Sequence, residues 1–251
     1  MYKKPFYINK SVWNNAFSYE KRNNKQLYVT NLIEIDDLEQ IKLWNEIVFE
    51  DYDFNGNLSS NYWLKNFYKL ICKNKDIYLF DNHNHAFYFW YLSRSQWVIW
   101  DENILIHIDE HSDTRDNNKY LNKPDSYDLN KVFDFTNYVL NVWDYIIPAK
   151  KEWIISEIIQ IRNESNLLDY IRNGWIDKKY IKNWNIIFNL DLDFFQPDLD
   201  YIDYELKKKV ILDILRNSSV ITVSTSPFFI NQELAIKVFK DIFWGFLTNK
   251  I

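Results

Sequence analysis

The chain has 251 residues, with 30 basic and 35 acidic side chains and a net charge of -5, and these numbers exclude several classes of protein. The acidic balance argues against a surface that follows nucleic-acid phosphates. A mean hydropathy of -0.42 argues against a bundle of membrane helices. Because 47% of the residues are hydrophobic and no composition shift marks a boundary, we expect one folded domain spanning residues 1–251, with neither nucleic acid nor membrane as partner.

Cysteine and glycine usage narrows the possibilities further. The single cysteine, Cys72, cannot form an internal disulfide or a cysteine-rich zinc site. The first ten residues, MYKKPFYINK, lack the apolar run of a signal peptide, and the three glycines lie too far apart for a nucleotide-binding loop. We therefore expect a cytoplasmic protein without a glycine-rich nucleotide site.

Short apolar runs alternate with helical patterns along the chain. The apolar runs predict strands at residues 6–9, 27–33, 77–81, 98–100, 104–109, 186–191 and 220–224. Apolar residues at helical spacing predict helices at residues 38–48, 63–71, 132–143, 210–215 and 234–246. This alternation predicts an α/β fold, a three-layer α/β/α sandwich with a mainly parallel sheet, whose ligands bind beyond the carboxyl ends of the strands.

The stretch Asp51-Tyr-Asp-Phe-Asn-Gly56-Asn57 has the early spacing of a calcium-binding EF-hand loop. Its twelfth position is Tyr62, which cannot replace the bidentate glutamate of such a loop. We interpret the stretch as a turn between helices.

Three clusters of imidazoles and carboxylates follow predicted strands. All four histidines lie between residues 83 and 111, and the segment ILIHIDEHSD places Asp109, His111 and Asp113 on one side if its extended geometry persists. In the segment IIFNLDLDFF, Asp191 and Asp193 stand at the end of the predicted strand. The segment IYLFDNHNHAF carries Asp81, His83 and His85 at the end of another strand. Carboxylates gathered at buried strand ends repel one another unless a cation neutralises them. The oxygen-rich ligand set favours a pair of Mn²⁺ ions over a tetrahedral structural zinc.

These motifs resemble the arginase superfamily of binuclear manganese ureohydrolases. Asp109-Glu-His111-Ser-Asp113 matches the family's Asp-x-His-x-Asp motif, and Asp191-Leu-Asp193 matches its second motif. The phrases DNHNHAF, HIDEHSD, IIPA and NLDLDFF resemble the peptide arginases in particular, over residues 77–235. The resemblance implies an arginase-like fold and hydrolysis of arginine residues in a ribosomally made precursor peptide to ornithine and urea, by a hydroxide that bridges two Mn²⁺ ions.

The resemblance also implies which residues hold the metals. One manganese would be held by His83, Asp109, Asp113 and Asp191, and the other by Asp109, His111, Asp191 and Asp193, so that Asp109 and Asp191 bridge. Asp113 would in addition orient the hydroxide.

Two positions depart from the family pattern. No histidine follows His111, so the family's proton-shuttling histidine is missing, and its role is either vacant or passes to His85, Glu110 or solvent. Ser224 stands where the family has a glutamate that holds the guanidinium, and Glu233 is the nearest substitute, although it could equally be an ordinary first-turn helix acid after Asn231.

Three alternatives stay open from the sequence. They are a small-molecule ureohydrolase acting on arginine or agmatine, an amide deacetylase of related fold, and a non-catalytic, metal-stabilised module that binds a peptide. The sequence does not indicate the oligomeric state.

Overall fold

A computed structural model describes residues 1–72, 75–173 and 185–247. The strands are β1 (Phe6–Ile8), β2 (Leu27–Val29), β3 (Leu32–Ile35), β4 (Leu43–Tyr52), β5 (Leu58–Leu64), β6 (Phe67–Cys72), β7 (Lys75–Phe80), β8 (Asn103–Ile108), β9 (Ile155–Ile161), β10 (Ile186–Asp191) and β11 (Val220–Ser224). The α-helices are α1 (His85–Ser95), α2 (Leu129–Tyr138), α3 (Ile146–Lys151), α4 (Glu164–Asn173), α5 (Tyr204–Asn217) and α6 (Gln232–Leu247).

Within this part of the chain, seven strands form a central sheet in the spatial order β3-β6-β7-β11-β10-β8-β9. Strands β7, β11, β10, β8 and β9 run parallel to one another, whereas β6 pairs with β7 antiparallel. Parallel strands that are buried on both faces are built from largely apolar runs, as in β8 and β10, in which His107 and Asn189 are polar exceptions. The predicted α/β class with a mainly parallel sheet is confirmed.

The core lies on both faces of the sheet because side chains alternate along each strand. In β8, Ile104 and Ile106 belong to a hydrophobic cluster that includes residues of α5 and α6, whereas Leu105 belongs to a second cluster that includes residues of α1, α2 and α3. Asp203 caps α5 by accepting a hydrogen bond from the Leu206 amide at 2.8 Å. The arrangement is compatible with the predicted α/β/α sandwich.

Two helix predictions are wrong. Residues 38–48 contain one 3-10 turn at Leu38–Gln40 and then enter β4, and residues 63–71 belong to β5 and β6. Both stretches are rich in aromatic and β-branched side chains, which favour strands, and a short apolar run fits helical and extended spacing about equally well. The acidic stretch at residues 51–57 is a turn, as predicted, but it joins strands β4 and β5 rather than helices.

Smaller differences follow from local geometry. The predicted strand at 27–33 is two strands, β2 and β3, which pair with different partners. Residues 98–100 form no strand and instead follow the turn that ends α1, where Trp97 has a φ of 62°. None of the helices in the described part of the chain has the length and apolar character needed to cross a membrane.

Candidate metal centre

The candidate site lies where four neighbouring strands of the sheet end. Strands β7, β11, β10 and β8 are adjacent and parallel, so their carboxyl ends meet at one edge. His83 follows β7, Asp109 follows β8, Asp191 ends β10, and Ser226 follows β11. The structure thus brings together side chains that are far apart in the chain, such as His83 and Asp191, whose Nδ1 and Oδ2 atoms lie 3.0 Å apart.

A first group of ligand atoms surrounds the His83 imidazole. His83 Nδ1 lies 3.1 Å from Asp109 Oδ2, 3.0 Å from Asp113 Oδ2 and 3.0 Å from Asp191 Oδ2. All four side chains are at most 5% exposed. Adjacent ligands of a hard six-coordinate ion, each about 2.1 Å from it, lie roughly 3.0 Å apart, which is the spacing seen here.

A second group surrounds His111 and shares Asp109 with the first. His111 Nδ1 lies 2.9 Å from Asp193 Oδ2 and 3.5 Å from Asp109 Oδ1. Asp191 adjoins this group because its Oδ1 accepts a hydrogen bond from the Asp193 amide at 3.0 Å. The six side chains predicted as metal ligands therefore lie together in two groups joined by Asp109.

The two groups fit divalent ions because several buried polar atoms have no other partner. Within the described residues, His83 Nδ1, His83 Nε2 and Asp109 Oδ2 are buried and form no hydrogen bond. A buried polar atom without a partner costs free energy, and a bound cation would satisfy the carboxylate oxygen and an imidazole lone pair together. Neutral imidazole and carboxylate oxygens are also the donor types that Mn²⁺ accepts.

The acid-base properties show how strongly the groups influence one another. Burial and the charge of Asp109 raise the pKa of Asp113 to about 6, and burial with the same charge raises the pKa of Asp193 well above its usual value. Hydrogen bonds to Asp109 and Asp193 raise the pKa of His111 to about 11. Without a metal, His111 is therefore protonated at neutral pH, and a cation that binds its ring must displace this proton.

Local turns, rather than an extended strand, bring the ligands of the β8 loop together. Strand β8 ends at Ile108, so the extended geometry predicted through Asp113 does not persist. Asp109 Oδ1 accepts a hydrogen bond from the His111 amide, and Asp113 has a φ of 50°, in the left-handed region that aspartate tolerates better than most residues. The turn thus directs Asp113 back towards His83.

Two residues in the site carry roles that the sequence did not reveal. Ser226, with a φ of 40°, donates a hydrogen bond from its hydroxyl to Asp191 Oδ2. His107 places Nε2 at 3.3 Å from Asp109 Oδ2. The parity of His107 with Asp109 along β8 was a usable signal, whereas nothing in the sequence marked Ser226.

His85 lies beside the metal ligands in sequence but in a different environment. It begins α1, and its ring packs against Tyr2, Trp13 and Phe67. Its Nδ1 lies 2.7 Å from the Tyr2 hydroxyl, and its Nε2 lies 3.4 Å from Asp81 Oδ1. These contacts hold the ring among aromatic side chains next to the ligand groups. The predicted catalytic role of His85 stays a prediction.

Glu233 lines an open cavity and does not lie among the ligands. It is an exposed residue in the first turn of α6, whose start is capped by Asn231 through a 3.0 Å bond from the Leu234 amide. The cavity has a volume of about 510 Å³, and Glu233 and Phe229 are among its lining residues. The centres of the Phe229 and His111 rings lie 4.7 Å apart. The loop between β11 and α6, which carries Phe229, therefore borders both the cavity and the second ligand group.

Comparison with protein-family models gives no match for this sequence, and comparison with curated proteins gives none either. The functional interpretation therefore depends on the geometry of the site and on the motifs themselves.

Proposed function

We propose that this protein is a manganese-dependent hydrolase of arginase-like fold that converts arginine residues of a peptide to ornithine and urea. The observation that carries the proposal is the pair of ligand groups, which share Asp109 at the carboxyl edge of four parallel strands. The six ligands would be His83, Asp109, His111, Asp113, Asp191 and Asp193. When bound, two such ions supply a nucleophile derived from water at neutral pH and stabilise developing negative charge.

The residues of the chain would orient and select the substrate. Reaction at the guanidinium carbon forms a bond to a water oxygen and breaks the bond to the side-chain nitrogen, which leaves as the ornithine amine after gaining a proton. Asp113 lies within the first ligand group, where its carboxylate can accept a proton from the attacking water. Glu233 would pair with the guanidinium and so fix its distance from the ligand groups.

Access to the site favours a substrate larger than a free amino acid. The His111 side chain is 43% exposed, so the second ligand group is open to solvent on that side. Beyond Phe229, the cavity extends to Trp44 and Tyr62 of the β4–β5 hairpin, whose side chains are 44% and 51% exposed. Aromatic side chains around a cavity of this size offer contacts to the peptide on either side of an arginine. We place the reaction in the cytoplasm, because a chain with one cysteine forms no internal disulfide and so does not depend on an oxidising compartment.

Mass spectrometry of the reaction products tests the proposal. The manganese-loaded protein is incubated with arginine-containing peptides, with matched lysine-containing peptides, and separately with free arginine and agmatine. We expect the arginine peptides to lose about 42 mass units per conversion, with one urea released for each, because hydrolysis replaces the guanidinium by an amine. Lysine peptides should be unchanged, and free arginine should react poorly.

The other outcomes identify the alternatives. Equal turnover of free arginine or agmatine and peptide would contradict a peptide enzyme and favour a small-molecule ureohydrolase. Release of acetate from an acetylated amine without urea would favour an amide deacetylase. Saturable binding of peptide with no product by the metal-loaded protein would favour a binding module.

A further inference from the structure

A row of polar side chains lies beneath the ligand groups, inside the sheet. His107 of β8 pairs in register with Asn189 of β10, and Asn189 pairs with Thr222 of β11. All three residues are 0% exposed. Each of the three residues stands two positions before a residue at the carboxyl end of the same strand. Because side chains alternate along a strand, the two residues of each pair point to the same face of the sheet. Three polar residues in neighbouring buried strands weaken the core unless their polar atoms are satisfied.

Hydrogen bonds satisfy this row on the side away from the ligands. The Asn189 amide nitrogen lies 3.1 Å from His107 Nδ1 and 2.8 Å from the Tyr145 hydroxyl. Thr222 donates to Asn189 Oδ1 at 2.8 Å and accepts from Trp90 Nε1 at 3.1 Å. The ring of His107 is therefore held at Nδ1 by a network that continues across the sheet to α1.

The other ring nitrogen of His107 faces the ligand groups. Nε2 lies 3.3 Å from Asp109 Oδ2, and within the described residues neither atom has a hydrogen-bond partner. The His83 ring centre lies 5.4 Å from that of His107. Two buried, unpartnered atoms at this separation, one nitrogen and one carboxylate oxygen, are arranged like neighbours that share a cation.

We propose that His107 is a further metal ligand, which binds through Nε2 the ion held by His83, Asp109, Asp113 and Asp191. The inference depends on the proposed metal centre but not on the reaction catalysed there. A 180° rotation of the Asn189 amide brings its oxygen to His107 Nδ1, which then donates its N–H and leaves the Nε2 lone pair free. In this orientation Thr222 accepts from the amide nitrogen and donates to the Phe188 carbonyl, 3.3 Å away. Such a hydrogen bond at the distal nitrogen is the usual way in which proteins fix the tautomer of a metal-binding histidine.

Nitrogen NMR of the unmodified protein tests this directly. The protein is labelled with ¹⁵N-histidine and loaded with ¹¹³Cd²⁺, a diamagnetic probe ion. Because the sequence contains four histidines, the spectrum shows the nitrogens of four imidazole rings. We expect a scalar coupling between ¹¹³Cd and His107 Nε2 and a proton on His107 Nδ1. A proton on Nε2, or couplings at His83 and His111 without one at His107, would overturn the proposal. This experiment measures metal ligation and no turnover. It therefore tests the role of His107 even if the urea assay shows no hydrolysis of arginine peptides.

Metal titration of variants provides a second readout and assigns the NMR signal. His107→Gln should weaken one of two Mn²⁺ binding steps at least about 100-fold and leave the other within a few-fold, since a ligand of one ion is lost. His85→Gln is the matched control, because His85 is an equally buried histidine whose ring atoms contact Tyr2 and Asp81. Unchanged Mn²⁺ affinity in a folded His107→Gln protein would overturn the proposal.

Discussion

Replacing Asp191 by asparagine should abolish the stabilisation that Mn²⁺ gives to the folded protein. Asp191 Oδ2 lies 3.0 Å from His83 Nδ1 and accepts a hydrogen bond from Ser226, so the amide keeps the size of the side chain but removes a charge from the ligand group. Two unit charges about 4 Å apart at an effective dielectric of 20 interact by about 4 kcal/mol. The attraction between a divalent ion and the Asp191 charge is at least as large. We therefore expect removal of this charge to lower the affinity for Mn²⁺ roughly 10³-fold.

The consequence for stability follows from mass action. At a free Mn²⁺ concentration of about 100 times the dissociation constant, binding stabilises the folded state by about 2.7 kcal/mol. This corresponds to a rise in melting temperature of roughly 5–10 °C for a chain of this size. At the same Mn²⁺ concentration, a variant that binds about 1,000-fold more weakly should gain less than about 0.1 kcal/mol.

Thermal unfolding with and without Mn²⁺ measures this effect. Asp144→Asn is the matched control, because Asp144 is a buried aspartate that accepts hydrogen bonds from the Asn141 amide at 2.6 Å and from the Asn141 side chain at 2.9 Å. The control should keep the metal-dependent rise in melting temperature. An Asp191→Asn protein that retains most of that rise would refute the assignment of Asp191 as a ligand.

Three further predictions concern the surroundings of the ligands. Glu233→Gln should leave the Mn²⁺ content unchanged and lower kcat/KM about 100-fold, and near-normal kcat/KM would identify Glu233 as a helix-terminal acid only. His85→Ala should retain both ions and lower turnover only partially, and loss of one ion by elemental analysis would make His85 a ligand. Because the pKa of His111 is raised to about 11, its proton must be displaced at neutral pH, so the apparent Mn²⁺ affinity should rise about tenfold per pH unit between roughly pH 6 and 8. Calorimetric titrations across that range that show a constant affinity would contradict this prediction.

The sequence predicted the parts of the structure that have a strong local signal. Strands β8 and β10 are largely apolar runs. Asp109 directly follows β8 and Asp191 ends β10, so both the strands and the edge of the sheet at these aspartates could be foreseen. The histidine cluster added the prediction that His83 and His111 lie near these carboxylates. The structure brings these four side chains together.

The parts that were missed depend on contacts between distant residues. Strand β4 carries apolar residues at a spacing that also suits a helix, and only its pairing with β5 makes it a strand. His107 shares its face of β8 with Asp109, but its contact with Asn189 depends on the register between β8 and β10, which no local pattern encodes. His85 was expected beside the ligands beyond the strand at 77–81, but α1 begins at that residue and buries the ring against Tyr2.

Anomalous scattering from crystals grown with Mn²⁺ tests the central claim, that these residues form a binuclear metal centre. We expect two manganese peaks in each chain at the carboxyl edge of strands β7, β11, β10 and β8. One peak should lie among the ligand atoms of His83, Asp109, Asp113 and Asp191, and the other among those of Asp109, His111, Asp191 and Asp193. A single peak at saturating Mn²⁺, or peaks held by other residues, would contradict the account.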